Sequence, residues 1–108
     1  MKKTIAEVID RLTILSLKRE FGNGVEYQEE YEKYTRAVAN FVRNNDNYDP
    51  QYFYKLLEAN RKIWLAEAEI GKWALEVRKW NMKRQEIKNE ISKTFGGPWD
   101  YKDYYKNL

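Results

Sequence analysis

The stretch PQYFYKLLEANRKIWLAEAEIGKWALEVRKWNMKRQEIKNEISKTF, residues 50 to 95, decides the fold. Gly71 is its one glycine, and after Pro50 no proline occurs until Pro98. Asp49 followed by Pro50 is a helix start, with the carboxylate as N-cap and proline at the first helical position, where its missing N–H is not needed. Gly96-Gly97-Pro98 is a stop, because glycine accepts the left-handed backbone past a helix C-terminus and proline cannot continue the helix. One helix over 50–95 would be about 69 Å long at 1.5 Å per residue, longer than a small domain is wide. Either Gly71 kinks or breaks the segment into two helices, or the long helix projects and finds its partner in a second copy of the chain.

The residues before it are helical too. Thr4 with Glu7 three positions on forms a capping box, and Ile5, Val8, Ile9, Leu12 and Leu15 follow at helical spacing, which predicts a helix over 4–20. Phe21-Gly22-Asn23-Gly24 ends it. A second helix over 25–44 carries Tyr27, Tyr31, Tyr34, Val38 and Phe41 as one stripe, and Asn44-Asn45-Asp46-Asn47 is a loop. Trp99, Tyr101, Tyr104 and Tyr105 crowd the tail over 96–108, too aromatic for a loose end, so it should fold back or pair with a partner. Strand-like alternation is missing. The expectation is therefore an all-α fold in a single domain over 1–108, an antiparallel helical bundle or hairpin with coiled-coil-like packing.

Composition narrows the chemistry. The 108 residues include no Cys and no His, which removes disulfides, thiol catalysis, catalytic triads and ordinary zinc sites. Apolar residues make up 43% of the chain and aromatic ones 16%, so the core is expected to be built with aromatic rings rather than aliphatic side chains. No run of 18 uncharged apolar residues occurs, which argues against a membrane span and for a cytoplasmic protein. The net charge of +3 is unevenly spread: residues 21–49 hold three bases and six acids, residues 71–95 seven bases and three acids. Opposite segments attract each other inside a fold, so the basic balance says little for nucleic acid, and no helix-turn-helix or RNA-binding signature is present.

Counting by alternating fours and threes from Leu56 gives Asn60, Ile63, Glu67, Ile70, Ala74, Val77, Asn81, Arg84, Lys88, Ile91 and Phe95. Five of these twelve seam positions are polar. An amide or ion buried without a partner costs several kcal/mol, so Asn60, Glu67, Asn81, Arg84 and Lys88 must pair, reach solvent or contact a ligand. Asp10, between Ile9 and Leu12, belongs with them, with Thr13 and Lys18 further along the same helix. One reading is an ion network that fixes helix register. The other is a pocket for an anionic group, with Arg84, Lys88, Lys18 and Asn81 as its basic end and Asp10 and Glu67 orienting the bases or binding a hydroxyl. Trp73 and Trp80, seven apart among lysines and arginines, are either an interface stripe or a stacking platform for a base.

The segment Glu7-Val8-Ile9-Asp10-Arg11-Leu12-Thr13-Ile14-Leu15-Ser16-Leu17-Lys18 resembles the opening of a family of small bacterial and phage helical proteins, which reads roughly E-L-I-D-K-L-T-I-L-x-I-K. Asn60, Trp64 and Glu67 are similar to its N-x-x-L-W-x-x-E element, and Asn81, Arg84, Lys88 and Ile91 to its N-x-x-R-x-x-x-K-x-x-I element. The likeness covers residues 5 to 20 and 57 to 92 and departs at Ala68, where the family has an acid, and at Gly71, where it has arginine nearby. The family has no established activity, so the resemblance implies an all-helical fold alone.

For catalysis only carboxylates remain. Glu26, Glu29 and Glu32 have the E-x-x-E spacing that helical nucleotide hydrolases use for magnesium, but the tyrosine stripe turns these acids toward solvent, and no second helix offers a matching pair. The sequence thus points to a non-enzymatic binding protein without cofactor or metal. It is expected to be a homo-oligomer holding a small anionic ligand such as a nucleotide or sugar phosphate near Asp10, Lys18, Asn60, Glu67, Trp80, Asn81, Arg84 and Lys88. A structural or protein-interaction module without ligand is the alternative.

Overall fold

Helix-start chemistry and apolar spacing produce four α-helices in the computed structural model, which describes residues 3–22, 25–68 and 74–96: α1 Ile5–Phe21, α2 Gln28–Asn44, α3 Gln51–Ala68 and α4 Ala74–Phe95. Thr4 lies in extended backbone and its Oγ1 accepts the Glu7 N–H at 3.1 Å, the cap expected of it. Asp49 caps α3 in the same way, its carboxylate accepting the Gln51 N–H at 2.9 Å. Helix α2 begins at Gln28 rather than at 25, because residues 25–27 form a turn and Tyr27, at the N-cap position, has no side-chain hydrogen bond to offer.

Helix α1 is the centre of the bundle and touches each of the other three. Ile5, Ala6, Val8, Ile9, Leu12, Leu15 and Leu17 are all buried, over somewhat more than half of the helix circumference, a wider face than a helix lying on a surface buries. Helix α2 runs antiparallel to α1 and presents Tyr34, Ala37, Val38 and Phe41 to the core, as its stripe predicts, with Tyr27 and Tyr31 packed at the edge. The expectation of a core made mainly of rings is corrected here. The largest fully buried side chains are mostly aliphatic, among them Ile5, Ile9, Leu15, Leu17, Leu56 and Ile91. One cluster of rings gathers at one end of the bundle, where Phe41, Tyr48, Tyr52 and Phe95 meet edge to face or tilted.

Of the two readings of 50–95, two helices is the one the chain adopts. Helices α3 and α4 are separate and pack against each other as an antiparallel hairpin: Tyr48, just before α3, meets Phe95 at the end of α4, and Lys62 late in α3 lies over Trp80 early in α4. Folding back lets Leu56, Ala59 and Ile63 of α3 and Ile87 and Ile91 of α4 be buried within one chain, which a projecting helix could not do. The second copy invoked for a 69 Å helix is replaced by α3 itself. Gly71, Trp73 and the aromatic tail beyond Gly96 lie outside the described residues. Helix α4 ends as expected at Gly96, whose φ of 80° is left-handed and whose N–H donates to the Ser92 carbonyl at 2.8 Å. No described helix is long and apolar enough to cross a membrane.

Candidate functional site

Asp10 sits on the buried surface of α1 where α3 and α4 converge. Its Oδ1 accepts from Asn60 Nδ2 at 2.8 Å and from Arg84 Nε at 2.9 Å, its Oδ2 accepts from Arg84 Nη2, and Lys88 Nζ stands 3.8 Å from Oδ2. The Asp10 side chain is 6% exposed, Arg84 29% and Lys88 21%, so this is a buried acid met by two cations whose stems run out toward solvent. A side-on Arg–carboxylate pair is the strongest geometry available to these groups. Hydrogen bonding to Asp10 raises the Arg84 pKa above its ordinary value, against the opposing effect of burial, and the negative charges of Asp10 and Glu67 add to the rise.

Thr13 fixes the orientation of Asn60. The Thr13 hydroxyl donates its one proton to the Asp10 carbonyl at 2.7 Å, so toward Asn60 it can only accept, and it does so from Nδ2 at 2.7 Å. An ionised Asp10 also accepts only. Both neighbours therefore demand the amide nitrogen, which leaves the Asn60 carbonyl oxygen without a partner among the described residues; the residue as a whole is 5% exposed, but this oxygen is not one of its buried, unsatisfied atoms.

Above this network lies a cleft of about 250 Å³ between α1, α3 and α4, lined by Ile14, Leu17, Asn60, Ile63, Trp64, Glu67, Asn81 and Arg84. Trp64 is backed by Phe21, ring centroids 6.0 Å apart, so its position is set by the end of α1. Arg84 spends Nε and Nη2 on Asp10, and its Nη1 has no partner among the described residues. The polar lining is thus one guanidinium edge, one amide oxygen held by its network, one exposed amide and one carboxylate, beside a wall of Ile, Leu and Trp.

Of the eight residues expected at a site, Asn60, Glu67, Asn81 and Arg84 line the cleft, while Asp10 and Lys88 lie beneath it in the network. Lys18 and Trp80 are not brought there. Eight residues past Asp10, Lys18 is turned about 80° round α1, and its Nζ lies 4.2 Å above the Tyr27 ring on the α2 side. Trp80 donates its Nε1 to Glu76 at 3.2 Å and faces Lys62 and Lys79. The cleft also contains Trp64, which was not among the residues expected there although Asn60, Trp64 and Glu67 share one helix face by their spacing of four and three. Two larger hollows, one lined by Arg19, Glu20, Val25 and Gln28 and one by Thr35, Arg36, Ala39 and Arg43, are open surface dips with none of these residues. Among the described residues no three acidic side chains cluster closely enough to hold a metal ion; Glu29 pairs with Lys33 and Glu30 with Arg11.

No protein-family model matches the chain, and no curated protein or solved structure is similar enough to it to count as a match.

Proposed function

We propose that this protein is a non-enzymatic binding protein whose cleft between α1, α3 and α4 takes a small ligand through an anionic group, a carboxylate or a phosphate, held by the outer edge of Arg84. The observation that carries this reading is the placement of Arg84: Asp10 fixes one edge of its guanidinium through Nε and Nη2, and the residue lines the cleft. A preorganised cation loses little conformational entropy on binding. Asp10 and Lys88 act here as positioning residues rather than contacts. The described lining of the cleft comes from one chain, so this reading invokes no second copy, and assembly into a homo-oligomer is a separate proposal.

One observation favours the alternative, a structural or interaction module without ligand: Asp10 is fully satisfied by Arg84, Lys88 and Asn60. A thermal-shift screen over nucleotides, sugar phosphates, organic acids and amino acids separates the two. Binding predicts a compound that raises the melting temperature of the native chain and not of Asn81→Trp, in which an exposed residue at the cleft is enlarged while the network is untouched. If no compound raises it, or the variant responds equally, the cleft has no ligand and the module reading stands.

A further inference from the structure

Resting on the cleft reading, the geometry points to a narrower ligand class: we propose that the cleft takes a free α-amino acid with an apolar side chain. Its carboxylate would sit on Arg84, its ammonium on the Asn60 carbonyl oxygen and Glu67, and its side chain against Ile63, Trp64 and Leu17.

Three observations lead there. The first is charge. Asp10 and Glu67 supply two negative charges and Arg84 and Lys88 two positive ones, so the site has no excess positive charge for a phosphate dianion, and Glu67 in the lining repels one. A ligand of zero net charge with its own separated charges matches both ends. The second is the Asn60 carbonyl oxygen, an acceptor in a side chain 5% exposed, with no partner among the described residues and its orientation dictated by Thr13 and Asp10. An ammonium has three donors, enough to meet this oriented acceptor and the Glu67 carboxylate together. Asn60 and Glu67 stand two turns apart on α3, roughly 10 Å along the helix, and Arg84 faces Asn60 from α4 through their shared contact with Asp10 Oδ1.

The third observation is size. The cleft, about 250 Å³, falls below the roughly 300–1,000 Å³ usual for drug-sized ligands. That suits one amino acid better than a nucleotide with base, sugar and phosphate. The aliphatic and tryptophan wall beside the polar floor then selects an apolar side chain over a charged one.

The test uses the whole chain and leaves the Asp10–Arg84 pair intact. The common L-amino acids are screened one at a time by thermal shift, and the strongest binder is titrated by calorimetry and by amide NMR. Its C-terminal amide, its deaminated carboxylic acid and adenosine monophosphate are titrated alongside. The expected result is that an apolar amino acid shifts the Asn60, Trp64 and Asn81 side-chain signals, and that the amide and the deaminated acid each bind at least tenfold more weakly. Glu67→Gln, an exposed position, should weaken the amino acid at least tenfold while leaving the melting temperature of the free protein within a degree. Equal binding of the amide or the deaminated acid overturns the assignment, as does unchanged affinity in Glu67→Gln. If adenosine monophosphate shifts the same signals more strongly than any amino acid, the cleft stands as a binding site and the amino-acid assignment falls. If no probe shifts them, both fall.

Discussion

Asp10 carries the largest consequence of any single residue in this chain. Its carboxylate is buried, and it holds Arg84, Lys88 and Asn60 in place from two other helices. Asp10→Ala leaves two cations facing an apolar wall. Because Arg84 and Lys88 are partly exposed and can turn to solvent, the loss should fall at the low end for a broken buried pair, about 3 kcal/mol, measured by urea denaturation. Asp10→Leu combined with Arg84→Met should recover most of it, since an apolar replacement of the whole pair is often neutral. A loss below about 1 kcal/mol in Asp10→Ala would mean that solvent already screens the pair. Tyr48 is the second case. Its hydroxyl is buried with no hydrogen-bond partner, and burial pushes its pKa from 10.0 up to about 12, the Phe53 N–H opposing this without reaching hydrogen-bond geometry. The folded state therefore keeps this proton when the unfolded chain gives it up. The stability tied to it is complete below pH 10 and is lost as the pH rises from 10 to 12. Tyr48→Phe should gain about 1 kcal/mol at neutral pH by removing an unsatisfied hydroxyl, and it should flatten the loss of melting temperature between pH 10 and 12. A variant that melts like the native chain at both pH values would show the hydroxyl to be solvated.

At the level of the element, helix ends follow local chemistry and helix partners do not. Thr4, Asp49 and Gly96 each stand at an end that their side chains or backbone freedom explain. Gly96 gives a clean test, because a Cβ added there would meet nothing within 4 Å and the cost of a substitution is backbone strain alone. Gly96→Ala should cost about 1 kcal/mol in thermal or urea unfolding, and Gly96→Asn, which tolerates the left-handed region, noticeably less. Equal costs would mean that α4 relaxes by ending one residue earlier. The seam counted through 50–95 shows the limit of local reading. Its polar positions do come together, but because α3 and α4 fold back on one another and each keeps its own four-and-three spacing, not because one helix carries them all. The count missed Ile87, which is 3% exposed and belongs to the core face of α4.

For the whole molecule, the arrangement around α1 sets an order of stability. Helices α1, α3 and α4 form a three-way contact closed by the Asp10 network, whereas α2 packs along α1 and reaches α4 through the Phe41–Phe95 ring pair. Hydrogen exchange should accordingly show α1 amides opening only with global unfolding, and the first half of α2, around Glu29 to Lys33, exchanging through a smaller local opening. Equal protection in α1 and α2 would contradict this ranking. The sequence by itself determined that the chain is helical, where most helices begin and end, that His and Cys chemistry is absent, and that Asp10, Asn60, Arg84 and Lys88 could not be buried unpaired. These follow from capping, periodicity and desolvation, which act within a few residues. Only the tertiary structure decided that α1 is the central helix, that aliphatic rather than aromatic side chains fill the middle, and that Lys18 and Trp80 face elsewhere while Trp64 enters the cleft. Those outcomes depend on the rotation and pairing of helices, which are set by how several apolar faces are buried together and leave no trace in the spacing along any one of them.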